Sequence, residues 1–337
     1  MRIGVDAMGG DYAPREIVRG AVEALPSLNG HELVLIGDES AIRFELDRLQ
    51  TPATKVEIVH ASQVIGMNEA PVEAVRTKKD SSICRMVTMA AERSLDAVIS
   101  AGNTGAFAAA SQIRMKLLPG VSRAGIAVVL PSFTGPIVLC DAGANITPKP
   151  HHLLEYAITA SAYARYVLRV DRPRVGLLSV GEEDAKGTTL VKQAHEVLRA
   201  SRTVNFIGNI EGRDLFRGGC DVVICDGFVG NIALKLIEGL AEGLFKTISK
   251  EIALASPELA RSFDPVVKRV WANHDYAEYG GAPLLGVDGA CVICHGSSDH
   301  VAIRNAVRVA TEYLENDLNS IIAAELAKEP PAHQASQ

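Results

Sequence analysis

Six short segments of this 337-residue chain set glycine beside Asn, Asp, Ser, His or Lys directly after an apolar run. Asp6 leads into Met8-Gly9-Gly10-Asp11, and Ser100 into Ala101-Gly102-Asn103-Thr104-Gly105. Asp141 leads into Gly143-Ala144-Asn145, and Val180 into Gly181-Glu182-Glu183-Asp184-Ala185-Lys186-Gly187. Asp226 leads into Gly227-Phe228-Val229-Gly230-Asn231, and His295 into Gly296-Ser297-Ser298-Asp299. Glycine lets the backbone approach a ligand and aim N–H groups at it. A helix that starts just beyond adds the positive potential of its first amides. The combination suits an anion with several oxygens, a phosphate or a carboxylate. Any one of these loops alone reads more readily as an ordinary strand-to-helix turn. Taken together, and gathered at one edge of a parallel sheet where open α/β folds bind ligands, they point to an anion site.

Other chemistries find no footing. No Gly-x-Gly-x-x-Gly follows the first apolar run, and no Gly-x-x-x-x-Gly-Lys-Ser/Thr occurs, because Lys186 precedes the second glycine of its loop. There is no Gly-x-Ser-x-Gly elbow. Cys291-Val-Ile-Cys294-His295 has haem-attachment spacing, but it sits on an apolar strand pattern and no export signal precedes it. The same cysteines lack a second pair to complete a zinc site, so no metal is expected. The six cysteines read as buried thiols. Aromatic residues are 5% of the chain and the net charge is −6 without a basic run, which argues against a nucleic-acid partner. Asp6 and Asp11 interrupt any secretory signal, and no apolar run reaches membrane-spanning length. The expected location is the cytoplasm.

The elements that must carry these loops alternate. Strands are predicted at Arg2–Asp6, Glu32–Gly37, Lys55–His60, Asp96–Ser100, Gly125–Leu130, Pro136–Cys140, Arg174–Val180, Thr203–Ile207, Asp221–Cys225 and Ala290–Cys294. Amphipathic stretches lie between them, for example Pro14–Leu25, Ala41–Leu49 and Leu153–Val167. Strands apolar on both faces, alternating with helices, predict a three-layer α/β fold: a mainly parallel sheet with helices on both faces. Residues 1–326 are expected to form one α/β domain, and 327–337 a frayed tail. From Asn231 to His274 the pattern stays helical, with Ser256-Pro257 in the middle. Proline fits the first turn of a second helix, so a projecting helical hairpin is predicted, tipped near Ile252–Leu259. It serves either as a packed pair in a homodimer interface or, through Ile252, Leu254 and Leu259, as a tip that touches membrane.

The loop segments, in order, resemble the phosphate acyltransferases of bacterial phospholipid synthesis, the acyl-carrier-protein–phosphate transacylases. The resemblance runs from Gly4-Val-Asp-Ala-Met-Gly-Gly-Asp11 through Ser100-Ala-Gly-Asn-Thr-Gly105 and Ser179-Val-Gly-Glu-Glu183. It continues in Asp226-Gly-Phe-Val-Gly-Asn231, Tyr279-Gly-Gly-Ala-Pro-Leu-Leu285 and His295-Gly-Ser-Ser-Asp299. One departure is Pro148, where the family often has cysteine before Lys-Pro. The resemblance implies a fold similar to isocitrate and isopropylmalate dehydrogenases and to phosphotransacetylases. It implies a reversible reaction in which phosphate attacks the thioester of acyl carrier protein, releasing acyl phosphate for a membrane acyltransferase that acylates glycerol 3-phosphate. It also implies a cytoplasmic homodimer in peripheral contact with membrane, and no organic cofactor.

On that reading the thioester already carries the activation, so no nucleotide is needed. The site must hold phosphate in line with the carbonyl and offset two negative charges. Lys186, on its glycine-flanked loop, is the first candidate cation; the alternative is a solvated loop lysine. Asn231 could donate its amide to the thioester oxygen or to phosphate, or cap the helix that follows. His295 could donate to phosphate or protonate the thiolate. The anion rim comprises Asp6, Gly9, Gly10, Gly102, Asn103, Thr104, Gly105, Asn145, Gly230, His295, Gly296, Ser297 and Ser298. Carboxylates at Asp6, Asp11, Asp141 and Asp226 would repel phosphate. They are expected to accept loop N–H groups or to pair with Lys186 or Arg123, a divalent metal being the weaker alternative. Rival readings are a phosphotransacetylase-like enzyme using coenzyme A, a metal-dependent hydroxy-acid dehydrogenase, and a non-enzymatic membrane scaffold.

Overall fold

Strand β1 (Arg2–Asp6) is flanked by β2 (Glu32–Gly37) and β4 (Ala97–Ser100), with β3 (Glu57–His60) outside β2, all parallel. The computed structural model describes residues 1–28, 30–274 and 279–329. The remaining strands are β5 (Gly125–Ser132), β6 (Gly135–Cys140), β7 (Val175–Leu178), β8 (Phe206–Ile210), β9 (Val222–Ile224), β10 (Ala282–Leu285) and β11 (Ala290–Ile293). They form one 11-stranded sheet ordered β3-β2-β1-β4-β11-β10-β5-β6-β9-β7-β8. Its side chains alternate between two cores. Leu33 and Leu35 of β2 face one, and Val34 and Ile36 face the other. That is the period-2 consequence of a pleated strand buried on both sides.

The first core is covered by α1 (Arg15–Ala24), α2 (Glu39–Arg48), α6 (Pro150–Tyr166), α7 (Thr189–Ala200), α10 (His300–Glu315) and α11 (Leu318–Leu326). The second is covered by α3 (Pro71–Thr77), α4 (Ser82–Ala91), α5 (Thr104–Arg114) and the base of α8 (Gly227–Ala255). The three-layer α/β architecture is the one expected. All six cysteines are buried free thiols, and Cys291 and Cys294 lie on or at the end of a fully buried strand.

Two strand expectations are corrected. The strand expected at 203–207 is β8, three residues later at its start, because Glu329 Oε1 ties Thr203 Oγ1 (2.7 Å) into a turn. Strand β10 was not expected at all. The larger correction concerns direction. Three successive pairings at the sheet centre, β11/β10, β10/β5 and β5/β6, are antiparallel. Three reversals turn the second half of the sheet around. Strands β1, β4 and β11 therefore end at one edge, and β6, β9 and β7 end at the other. The six glycine loops do not share one edge; they form two rims of three.

Helix α8 continues for 29 residues and meets α9 (Pro257–His274) at Ser256. Ser256 Oγ accepts from the amides of Glu258 (3.2 Å) and Leu259 (3.3 Å), so it caps α9, and Pro257 takes the first helical position. The hairpin thus starts at Gly227, four residues before the expected Asn231. Of the expected tail, residues 330–337 lie outside the described residues.

Candidate functional site

The first rim is knitted by its own polar groups. Asp6, 1% exposed, accepts from Ser100 Oγ (2.7 Å) and from the amide of Met8 (3.1 Å). Burial pushes its carboxyl above the usual range, and those hydrogen bonds oppose the shift. A β-carbon on Gly9 would stand 2.6 Å from the Gly102 amide nitrogen, so only glycine lets the loops after β1 and β4 meet. Asp11 N donates to Gly296 O (2.7 Å), and Gly10 packs against the same carbonyl. Asn103 caps α5 through Ala106 N (3.0 Å) and donates Nδ2 to the carbonyls of Gly66, Met67 and Glu69. Its amide is fully engaged, whereas Thr104 and Gly105 open α5 with exposed backbone. Ser298 N closes a turn onto His295 O (2.9 Å), Ser297 is exposed, and Asp299 caps α10. These loops do converge.

The second rim is built around Asp141. Its buried carboxylate accepts from the amides of Ile126 (3.0 Å), Gly143 (3.1 Å), Ala144 (2.9 Å) and Asn145 (2.7 Å). Asn145 Nδ2 donates to Ala124 O (2.7 Å), and Asn145 O accepts from Gly227 N (2.9 Å). Gly230 is buried against Asp141. Asp226, not Asn231, is the N-cap of α8, through Val229 N (2.9 Å). That corrects the capping alternative for Asn231 and leaves its exposed side chain beside Gly143. Asp6, Asp141 and Asp226 accept loop amides, as expected of carboxylates near an anion site, rather than pairing with Lys186 or Arg123. Among the described residues, no group of three or more His, Cys, Asp or Glu could hold a metal ion.

Lys186 is exposed on the loop after β7, which runs parallel beside β9, the strand that leads to Asn231. The two loops therefore leave the same edge on neighbouring strands. Asp184 anchors the Lys186 loop through Arg199 (2.8 Å), and Asn209 Nδ2 holds Glu183 O (3.0 Å).

The gap between the rims is bridged by a residue that the sequence reading missed. Lys235 Nζ, one turn beyond Asn231 on α8, lies 2.7 Å from His295 Nε2 and 2.8 Å from Glu238 Oε2. An ammonium only donates, so Nε2 is the acceptor, while Nδ1 lies 2.8 Å from Ser297 Oγ and 3.3 Å from the Ser297 amide nitrogen. Partial desolvation, and then Lys235, hold the His295 pKa below the usual imidazole range, although the residue keeps an exposed face. The available signal was Asn231-x-x-x-Lys235, which puts an amide and a cation on one helix face. The apolar run around it reads instead as hairpin.

The description "Fatty acid synthesis protein" belongs to a family model that matches residues 1–321. The chain belongs to this family. Phosphate acyltransferase from Halothermothrix orenii is 46% identical over 334 residues, covering 98% of this chain and 99% of the relative. The enzyme of that name from Pelotomaculum thermopropionicum is 48% identical over 321 residues, covering 94% and 93%. This member of the family is an acyltransferase of lipid biosynthesis. Among solved structures, a phosphotransacetylase from Streptococcus pyogenes covers 94% of both chains at TM-score 0.63 and 18% identity. EutD phosphotransacetylase from Staphylococcus aureus covers 93% of both at TM-score 0.59 and 14% identity. The acyltransferase shares their fold. No helix among its described residues is long and apolar enough to cross a membrane.

Proposed function

We propose that this acyltransferase moves a fatty acyl group from acyl carrier protein to inorganic phosphate, producing acyl phosphate for phosphatidic acid synthesis by a membrane glycerol-3-phosphate acyltransferase. The observation that carries the reading is the meeting of Lys235, His295 and Ser297 between two glycine rims, with Asn231 one turn before Lys235 and beside Gly143. They present an exposed amide, an ammonium and a hydroxyl, without a nucleotide motif. The names of the two full-length relatives pair phosphate with acyl transfer.

The chemistry balances without a cofactor. An oxygen of hydrogen phosphate attacks the thioester carbonyl carbon, a C–O bond forms, and the C–S bond breaks with its electron pair leaving on sulfur. The phosphate proton passes to that thiolate. Donors on the rims offset charge on the attacking anion and on the carbonyl oxygen during attack. Asn231 and Lys186, on adjacent loops, are assigned to the thioester side.

The hairpin supports the dimer and membrane parts of the reading. Ile232, Leu236, Leu240, Leu244 and Ile248 form an exposed apolar stripe on α8, and Leu259, Phe263, Val266 and Val270 are exposed apolar residues of α9. Such a stripe suits a second copy of the chain along its length, with lipid contact at the Leu254 end. The deciding experiment mixes pure protein with palmitoyl carrier protein and phosphate and detects acyl phosphate by mass. A parallel arm with palmitoyl coenzyme A separates the phosphotransacetylase-like alternative. Absence of acyl phosphate in both arms rejects the activity.

A further inference from the structure

We propose that Lys235 holds inorganic phosphate directly through its remaining N–H, with the exposed Ser297 hydroxyl as the second group on the anion. This rests on the reading of the chain as an acyltransferase to phosphate, and it names the side chains that take the anion.

The argument is a count of donors. An ammonium has three N–H groups. Two of those on Lys235 reach His295 Nε2 (2.7 Å) and Glu238 Oε2 (2.8 Å). Lys235 is 47% exposed, so the third is open to solvent. His295 accepts from Lys235 at Nε2, and its Nδ1 lies 2.8 Å from Ser297 Oγ and 3.3 Å from the Ser297 amide nitrogen. The Ser297 hydroxyl carries one hydrogen of its own, and the residue is exposed. Asn231 stands one turn before Lys235 on the same helix face, also exposed. An ammonium and a hydroxyl thus flank His295, with the Asn231 amide one helical turn away.

The charges agree. The groups that act on His295 are Lys235, Glu238 and Asp11, and the imidazole stays neutral because burial and Lys235 outweigh the two carboxylates. Glu238 is itself paired to Lys235 and only 17% exposed. Protonating His295 would remove the acceptor for Lys235 and set two cations side by side. The grip therefore works with His295 neutral and loosens as pH falls through its depressed pKa.

The test compares the full-length wild type with Lys235→Met, Lys235→Arg and Ser297→Ala. In steady-state assays, Lys235→Met is expected to raise the phosphate KM by about tenfold or more, with the carrier-protein KM within about twofold. Lys235→Arg should recover part of the loss, and Ser297→Ala should raise the phosphate KM several-fold. An unchanged phosphate KM in Lys235→Met overturns the proposal. Should that variant lose its circular dichroism melt, an unchanged phosphate KM in Ser297→Ala does the same. A binding arm keeps the idea separate from the reaction. Wild type should broaden the phosphorus NMR line of inorganic phosphate, and Lys235→Met should not, whether or not any acyl donor is turned over. Equal broadening by both, or none by wild type, also overturns it. Loss of turnover alone would sink only the activity.

Discussion

Gly230 of α8 sits so tightly under Asp141 that a β-carbon on it would lie 1.9 Å from the Asp141 carbonyl oxygen. Helix propensity alone would favour alanine there by about 1 kcal/mol. The clash is with backbone and cannot be relieved by a rotamer change, so overpacking, at about 3 kcal/mol, wins. Gly230→Ala should lower the urea midpoint, while Gly239→Ala, whose β-carbon meets nothing within 4 Å, should leave it unchanged or raised. Equal effects at the two sites would reject this account of the joint between α8 and the second rim.

Lys186 tests the assignment of a mobile cation to the thioester side. Lys186→Ala should lower acyl phosphate formation by at least about tenfold, roughly 1.4 kcal/mol of barrier, with melting unchanged. Near-normal turnover would take Lys186 out of the site and leave it a solvated loop lysine.

Leu254, 70% exposed one residue before the end of α8, tests the membrane contact. Leu254→Glu should weaken flotation with anionic lipid vesicles without changing the oligomeric state seen by light scattering. Unchanged flotation would reject the lipid-touching tip.

His152 predicts how stability follows pH. Its Nδ1 accepts from Lys149 N (2.9 Å) at the start of α6, and burial, followed by the charges of His151, Arg123 and Lys149, lowers its pKa to about 4. The unfolded chain takes this proton near the ordinary value of about 6.5, well before the folded chain does. His152 therefore contributes stability that is fully present above pH 6.5 and lost progressively toward pH 4. The melting temperature of wild type should fall more steeply over that window than that of His152→Gln, which keeps an acceptor for Lys149 N. Parallel pH profiles would reject the role of His152.

Much of this was legible in the sequence, and the reasons differ by element. Strands β1 and β2 were predicted to the residue, because Arg2–Asp6 and Glu32–Gly37 are short apolar runs closed by turn residues. Strand β10 was hidden: Gly280 and Gly281, at φ +78° and +81°, together with Pro283, read as loop. With β10 went the sheet's central reversal, since strand direction depends on pairing and not on local pattern. Knowing which loops were rich in glycine and carboxylate did not say which would meet. Lys235 was hidden for a related reason. It lies in an apolar helical run, and only the approach of His295 from a distant strand gives it a partner.

The reversal at β10 and β5 leaves each half of the sheet with its own rim, and the base of α8 is what spans them. The same helix runs on without interruption to Leu254, 19 residues past Lys235, about 28 Å at the usual rise per residue. On the proposed function, phosphate binding and lipid contact would sit at opposite ends of one rod, and a surface that tilted its outer end would move Lys235 relative to His295.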